Sequence, residues 1–495
     1  VHTPVPINKA MQIPDARAAI DAEWDKLHNR KAWRLETVEE RSHVIAEARA
    51  TGTTVHFGTL MALCHIKHSE LAKSQQKYKG RVVFRGDNTK DESGYLAVFS
   101  EQGTSASHMA AAHFLYAISR FHDMDGAESV ASGAYTQSTL GGPKTWISLP
   151  KNRWPKSWNG KYTDPVVELR LSLYGHPLAG LYWEKHSKER IMSCGFKPVP
   201  SWECLYYHEQ KQLFLAVYVD DYKLAGKKDN IKPMWKALMA SGLDLDPPTP
   251  LCQGVYLGCS QTPVEVPQSL LSEKEAFWET ITGTKPLVAE SQQQPLKENK
   301  EAKVSKPKPT PKPTPQPPPK KSGKLSKMAA VAAAPKVRAW EYYMGHAQGC
   351  VDRYLELSGL KESSLKHVST PCIDDHLLSS EDEQTKGLLS DHAARIVLKV
   401  LYLARIKRLD LLYSVNVLAR DVTRWTVACD KRLHRLISYL NHTKDWSQVC
   451  FVGDKFEDFV LVMFADAGFA GRLASSKSTS GGILCLVGKR TFAPL

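Results

Sequence analysis

At 495 residues the chain is too long for one compact core, and the usual size of domains predicts two or three. Hydrophobic residues make up 42% of the chain and aromatic residues 9%, which excludes a protein that is disordered throughout. The net charge of +14 favours a polyanionic partner, but ten lysines and two acids between Lys297 and Lys327 supply +8 of it, so the remainder is only mildly basic.

The ten cysteines are scattered without a CxxC pair, which predicts reduced thiols rather than a disulfide framework. There is no signal peptide and no apolar run long enough to span a bilayer, so we expect a cytoplasmic or nuclear protein with no membrane partner. Because the chain begins with Val1 rather than Met, we expect a fragment of a longer product.

The first part of the sequence mixes helices and strands. Apolar periodicity predicts an amphipathic helix over 16–28, a short strand over 80–84 and an Ala-rich helix over 105–121. This mixture indicates an α+β assembly.

A hairpin is predicted where two apolar, β-rich runs, over 213–219 and 222–225, flank Asp220 and Asp221. Two adjacent carboxylates on a tight turn suit a site that holds Mg²⁺ ions for phosphoryl transfer. Exposed turns also favour aspartate for backbone reasons, so the pair alone leaves both interpretations open.

Residues 262–337 turn polar and read KPKPTPKPTPQPPPKK over 306–321, a composition that favours polyproline segments and predicts a disordered linker. Beyond it, periodicity predicts four helices and a strand. The helices are expected over 340–357, 391–406, 410–419 and 428–440, and the strand over 459–464.

The string FLAVYVDD over 214–221 resembles the polymerase signature of reverse transcriptases, and its neighbours resemble those of copia-type retrotransposon Pol polyproteins. The blocks KGRVVFRG (79–86), GAYTQ (133–137) and LSLYG (171–175) follow in the family's order. The resemblance covers roughly residues 22–261.

This resemblance implies roles for four more residues. Lys79 and Arg81 would meet the incoming triphosphate, with a solvated strand edge as the alternative. Tyr135 would be the steric gate at the sugar 2′ position, or an ordinary core residue. Gly175 would let the backbone approach the nucleotide closely, or would make a simple turn.

A third metal-binding carboxylate is expected from the resemblance five residues before the gate aromatic, and that position holds Val130. Glu128 shares the strand face but lies about 6.5 to 7 Å away along it, too far to replace the missing ligand without a bulge. The resemblance therefore leaves Asp220 and Asp221 as the only family ligands.

The segment FADAGFAG over 464–471 resembles the opening of the family's ribonuclease H, in which a strand presents the first metal-binding aspartate. Asp466 is that candidate ligand. No Asp or Glu follows it before Leu495, so we expect a truncated ribonuclease H-like segment without a complete site.

The elements predict an α+β fold, and the resemblance implies its layout. We expect polymerase fingers and palm of the right-hand type over 1–261, the disordered linker over 262–337, thumb and connection helices over 338–455, and a truncated ribonuclease H-like sheet over 456–495.

The resemblance implies an RNA-directed DNA polymerase that uses an RNA template, a DNA primer, deoxynucleoside triphosphates and Mg²⁺. With valine at 130 we predict weak or absent polymerase activity, and with Asp466 alone no ribonuclease H activity. Two alternatives stay open: an active polymerase with a third ligand that the sequence does not reveal, and a host-adopted nucleic-acid-binding protein that uses its Pro/Lys-rich segment. The sequence makes no prediction of oligomeric state.

Overall fold

A computed structural model of the protein describes residues 2–67, 73–99, 108–256, 258–283, 336–472 and 477–495. The elements of the first 170 residues are β1 (His2–Val5), α1 (Ile7–Ala10), α2 (Pro14–Asn29), β2 (Trp33–Glu40), α3 (Arg41–Thr51), β3 (Val55–Lys67), β4 (Lys77–Phe84), β5 (Lys90–Asp91), α4 (Met109–Ile118), β6 (Met124–Val130), β7 (Lys144–Ser148) and β8 (Pro165–Leu169).

The elements that follow, up to residue 283, are α5 (Ala179–Ser193), β9 (Lys197–Pro198), β10 (Leu205–His208), β11 (Leu213–Tyr218), β12 (Asp221–Lys227), α6 (Lys228–Ala240), β13 (Thr249–Pro250), β14 (Ser260–Val264) and α7 (Gln268–Ile281). The remaining elements are β15 (Arg338–Tyr343), α8 (His346–Ser358), α9 (Ser380–Gln384), α10 (Ala393–Ile406), α11 (Leu412–Arg420), α12 (Val427–His442), β16 (Val449–Val452), β17 (Val460–Arg472), β18 (Lys477–Gly488) and β19 (Thr491–Pro494).

The first sheet is mixed and has the strand order β1-β3-β7-β8-β2, with β4 and β5 also paired to β3. Helix α2 packs on this sheet because Ala16, Ile20 and Trp24 recur at helical spacing and are buried. The close approach of helix and strand requires Gly80, since a Cβ there would overlap the backbone of α2.

The second sheet is antiparallel, with the order β13-β6-β12-β11-β10-β9. Strand alternation sends Leu215 and Leu224 to one face, where α5 and α6 pack through Trp183 and Trp235. Helix α4 covers part of the opposite face, and Phe114 meets Phe214 there with ring centroids 5.0 Å apart. The predicted hairpin is confirmed as β11 and β12 of this sheet.

The third sheet is also antiparallel and runs β14-β15-β16-β19-β18-β17. Strands β14 and β15 pair directly from Ser260↔Tyr343 to Val264↔Ala339, although residues 284–335 lie between them in sequence. In the largest core, residues of α4 pack with Trp340, Tyr342 and the C-terminal helices. The parts before and after the Pro/Lys-rich segment therefore share one core.

Three details of the expected layout are corrected. The first 22 residues of the expected linker, 262–283, are folded, since they contain the end of β14 and all of α7. The expected helix over 340–357 begins as a strand, because Trp340 and Tyr342 alternate inward while Tyr343 is exposed, and helix α8 starts only at His346. A separate sheet was expected to begin at residue 456. The strands after 456 instead belong to one sheet with β14, β15 and β16. The rest of the expected linker, 284–335, lies outside the described residues.

The other expected helices are observed with ends that differ by a few residues, and the α+β class is confirmed. Residues 105–107 of the helix expected over 105–121 lie outside the described residues. Among the described residues, no helix is both long enough and apolar enough to cross a bilayer.

Candidate active site

The turn between β11 and β12 consists of Val219 and Asp220, with Tyr218 paired to Asp221. Val219 has a φ of +56°, which is strained for a β-branched residue. The indole nitrogen of Trp183 donates a hydrogen bond of 2.6 Å to the Val219 carbonyl, and this bond from α5 holds the turn in place. Trp183 carries no signal of this role in the sequence, because the role depends on packing across the sheet.

The two aspartates differ in their surroundings. The Asp220 carbonyl accepts a hydrogen bond of 2.7 Å from the Ala131 amide, which ties the turn to the end of β6. Burial raises the pKa of Asp221 to about 6, and repulsion by Asp220 adds to the rise while Lys223 opposes it. The two carboxylates therefore place negative charges side by side where partial burial already disfavours the charged form of Asp221.

Val130 lies directly opposite Asp221 in the antiparallel pair of β6 and β12. Residues in direct register project to the same face, so the valine side chain stands beside the Asp221 carboxylate. Val130 is 41% exposed, an unusual position for an aliphatic side chain next to two acids. The structure thus places an apolar, accessible side chain directly beside the acidic turn.

Glu128 does not fill this gap. It lies opposite Lys223 in the same strand pair, and the Lys223 ammonium donates a hydrogen bond to its carboxylate. Among the described residues, no group of three or more His, Cys, Asp or Glu side chains could hold a metal ion. Two carboxylates beside a valine therefore do not fit a two-Mg²⁺ polymerase centre.

Lys79 and Tyr135, which are far apart in sequence, both interact electrostatically with Asp220 of the acidic turn, and Arg81 follows Lys79 in β4. Lys79 and Arg81 alternate onto one face of β4. The Arg81 guanidinium lies 4.9 Å from the ring centroid of Tyr174, whose ring centroid is 4.4 Å from that of Tyr135. These contacts build a continuous wall of basic and aromatic side chains from the first sheet toward the second.

The charges of this wall and the turn influence each other. Burial lowers the pKa of Lys79, and Arg81 lowers it further while Asp220 raises it. Burial also raises the pKa values of Tyr135 and Tyr174, and Asp220 contributes to both. Tyr174 was part of the LSLYG block but was not singled out, because its position between Arg81 and Tyr135 depends on the fold.

Gly175 makes a close contact within the protein itself. Its φ is +89°, and a Cβ would overlap the carbonyl oxygen of Phe84 at the end of β4. The Phe84 amide donates a hydrogen bond of 2.8 Å to the Tyr174 carbonyl beside it. The structure therefore explains this glycine by the crossing of two backbone segments.

Asp466 lies in β17, opposite Gly481 of β18, and is exposed. It lines a groove of about 1140 Å³ between this hairpin and α11, together with Tyr413, Asn416 and Arg420. Of the described residues that line the groove, Asp466 is the only acid. The structure places Asp466 apart from Asp220 and Asp221, in the third sheet rather than the second.

Comparison with known protein families gives one match. The family described as "Reverse transcriptase (RNA-dependent DNA polymerase)" matches residues 61–262. No curated protein matches the chain. The matched segment contains the acidic turn, Val130 and the basic and aromatic wall, and it is similar to reverse transcriptases.

Proposed function

We propose that the chain is the product of a copia-type retrotransposon whose reverse-transcriptase-like part binds a template and primer but carries out little or no DNA synthesis. The observation that carries the proposal is the pairing of Val130 with Asp221. A polymerase site that has kept its acidic turn and lost one neighbouring carboxylate has the scaffold for its substrates without the charge needed for its chemistry.

The wall of Lys79, Arg81, Tyr174 and Tyr135 supports the binding half of this proposal. A basic pair beside the acidic turn offers charge to a triphosphate, and Arg81 stacked on Tyr174 is held in place for such a contact. Tyr135 is positioned by the same stack, as a residue that senses the sugar must be. The expected ligands are an RNA template, a DNA primer and deoxynucleoside triphosphates.

The chemical half follows from the donor set. Asp220 and Asp221 are too few carboxylates for a stable pair of Mg²⁺ ions, and Glu128 is engaged by Lys223. We also propose that the Asp466 groove does not cleave RNA in a hybrid, since no second acid lines it among the described residues. Mg²⁺ is thus part of the ancestral site and not a resident cofactor of this chain.

Repair of the site tests the proposal. Val130→Asp should raise Mg²⁺-dependent primer extension on an RNA template by roughly a thousandfold, because a metal ligand contributes several kcal/mol and about 1.4 kcal/mol corresponds to tenfold in rate. Adding Asp220→Asn to the repaired protein should abolish the gain. The matched control is Val460→Asp, since Val460 is 45% exposed and lies in the third sheet, so its substitution adds the same charge away from the turn.

Two outcomes would contradict the proposal. If the parent protein extends primers at a rate that Val130→Asp leaves unchanged, a third ligand exists elsewhere and the chain is an active polymerase. If the parent protein shows no affinity for a template–primer hybrid, the proposed binding of template and primer is wrong. Binding of the hybrid in EDTA by parent and repaired proteins, with extension only by the repaired one, is the expected result.

A further inference from the structure

Lys223 is a buried lysine in β12, on the sheet face that carries Asp221. The residue is 4% exposed, and its ammonium donates to the Glu128 carboxylate. The ammonium also lies 4.2 Å from the ring centroid of Tyr256 and 5.4 Å from that of Tyr116. A buried ammonium needs compensation of this kind, so the surroundings of Lys223 hold a cation in a defined place.

The surroundings of Glu128 are equally specific. A Cβ at Gly254 would overlap the Glu128 carboxylate, so the carboxylate packs directly against this glycine. Strand β13 pairs on the other side of β6, with Thr249 opposite Glu128. The Glu128 carboxylate therefore contacts both the Lys223 ammonium and the chain at Gly254.

Two register pairs form a square on this face of the sheet. Asp221 lies opposite Val130, and Lys223 lies opposite Glu128. Along β12, Asp221 and Lys223 are about 6.5 to 7 Å apart. Asp221 and Glu128 lie on the diagonal of this square, about 7 to 8 Å apart, so the position of Lys223 is nearer to Asp221 than that of Glu128.

We propose that Lys223 is an internal counter-ion of Asp221, which supplies positive charge to the acidic turn and opposes the binding of a divalent cation there. The inference rests on the proposed function only in taking the turn as the remnant of a metal site. It makes Lys223 a positioning residue that acts through Asp221. It also predicts that Val130→Asp alone restores only part of the affinity for a metal ion.

The test measures binding of Mn²⁺ alone to the full chain by electron paramagnetic resonance, which separates free from bound Mn²⁺. The double substitution Lys223→Met with Glu128→Gln removes one positive and one negative charge, so the net charge is unchanged. We expect it to tighten Mn²⁺ binding by roughly threefold to tenfold, in the parent and in the Val130→Asp background. Unchanged or weaker binding would overturn the proposal.

Three further proteins make the result specific. Lys223→Gln with Glu128→Gln keeps a hydrogen bond between the strands and replaces the first variant if that one lacks a cooperative thermal transition. Lys223→Arg retains the charge, so tighter Mn²⁺ binding in it would overturn the proposal. Lys431→Met with Asp382→Asn removes an ion pair of 2.7 Å outside the site, also without a change in net charge, and should bind Mn²⁺ as the parent does.

The metal measurement is independent of the proposed function. Failure of the proposed function shows in the parent protein, as absence of hybrid binding or as primer extension that Val130→Asp does not change. Failure of the Lys223 inference shows as Mn²⁺ affinities that do not respond to the charge-neutral substitutions. Each result is obtained from the same purified proteins.

Discussion

The contribution of Asp221 to the free energy of unfolding depends on pH. Its pKa in the folded protein is about 6, above the ordinary value of 3.8, because it is largely buried beside Asp220. A carboxyl whose pKa is raised by folding favours the native state only while it is protonated. The native state therefore loses stability as the pH rises from about 4 through about 6, and the loss is complete above that range.

Asp221→Asn should remove this dependence. At pH 8 the variant should be more stable than the parent by about 1–2 kcal/mol, a figure discounted because the carboxyl is partly exposed. By pH 4 the difference should vanish. Chemical denaturation of the parent and the variant at a series of pH values measures it. A gain that is the same at pH 4 and pH 8 would contradict the assigned cause.

Among the structural elements, the crossing of the Tyr174–Gly175 segment over the end of β4 connects the wall to the first sheet. The crossing needs both a positive φ and the absence of a Cβ at Gly175. Without it, Tyr174 would not lie between Arg81 and Tyr135. Gly175 therefore contributes to the candidate site indirectly, by allowing the crossing that positions Tyr174.

Gly175→Ala is expected to destabilise the protein by about 2 kcal/mol or more, since strain at positive φ and overlap with Phe84 add together. Gly52→Ala provides the matched control, because Gly52 has a φ of +65° but nothing within 4 Å of a Cβ. It should cost only about 1 kcal/mol, from the backbone alone. Urea denaturation compares the two, and equal costs would rule out the crossing as the reason for the glycine.

Elements whose burial pattern is local could be predicted from the sequence. The buried residues of α2, including Ile20 and Trp24, recur at helical spacing within one segment, and the helix over 16–28 was predicted from them. The start of the segment after residue 337 could not be predicted in this way. Trp340 and Tyr342 lie in a strand because β14 and β16 flank them, and β14 is far away in sequence.

The same distinction applies to the candidate site. The hairpin that carries Asp220 and Asp221 could be predicted from the sequence, because its two strands and its turn are contiguous. The ion pair of Lys223 and Glu128 could not be predicted, since their contact depends on the register between β6 and β12. The position of Val130 came from a resemblance, and only the structure places its side chain beside Asp221.

At the scale of the whole molecule, the parts on either side of the Pro/Lys-rich segment are joined by more than the covalent chain. Strands β14 and β15 pair across it. His113 of α4 stacks on Tyr342 of β15 with ring centroids 4.7 Å apart, and the Arg120 guanidinium lies 4.2 Å from the Trp340 ring centroid. The segment is thus an insertion within one sheet rather than a hinge between independent domains.

Trypsin added to the native protein should cut first within 284–335, because this stretch is rich in lysine and poor in the apolar residues that build a core. The two products should then co-elute in size-exclusion chromatography, since the shared core and β14–β15 hold them together. Products that separate in native buffer would contradict the shared core. Early cuts within 200–226 would contradict the fold of the second sheet.

This junction also determines when the protein can finish folding. Phe121 and Arg338, which meet at the junction, are 217 positions apart. During synthesis on the ribosome, the part of α4 that packs on the C-terminal half has no cover until Trp340 and Tyr342 emerge, and contacts of such long range form slowly. Each nascent chain therefore exposes this apolar surface of α4 while the whole Pro/Lys-rich segment is translated. We expect a fragment that stops at residue 262 to aggregate, because it contains every residue of the family match but lacks Trp340 and Tyr342 to cover α4.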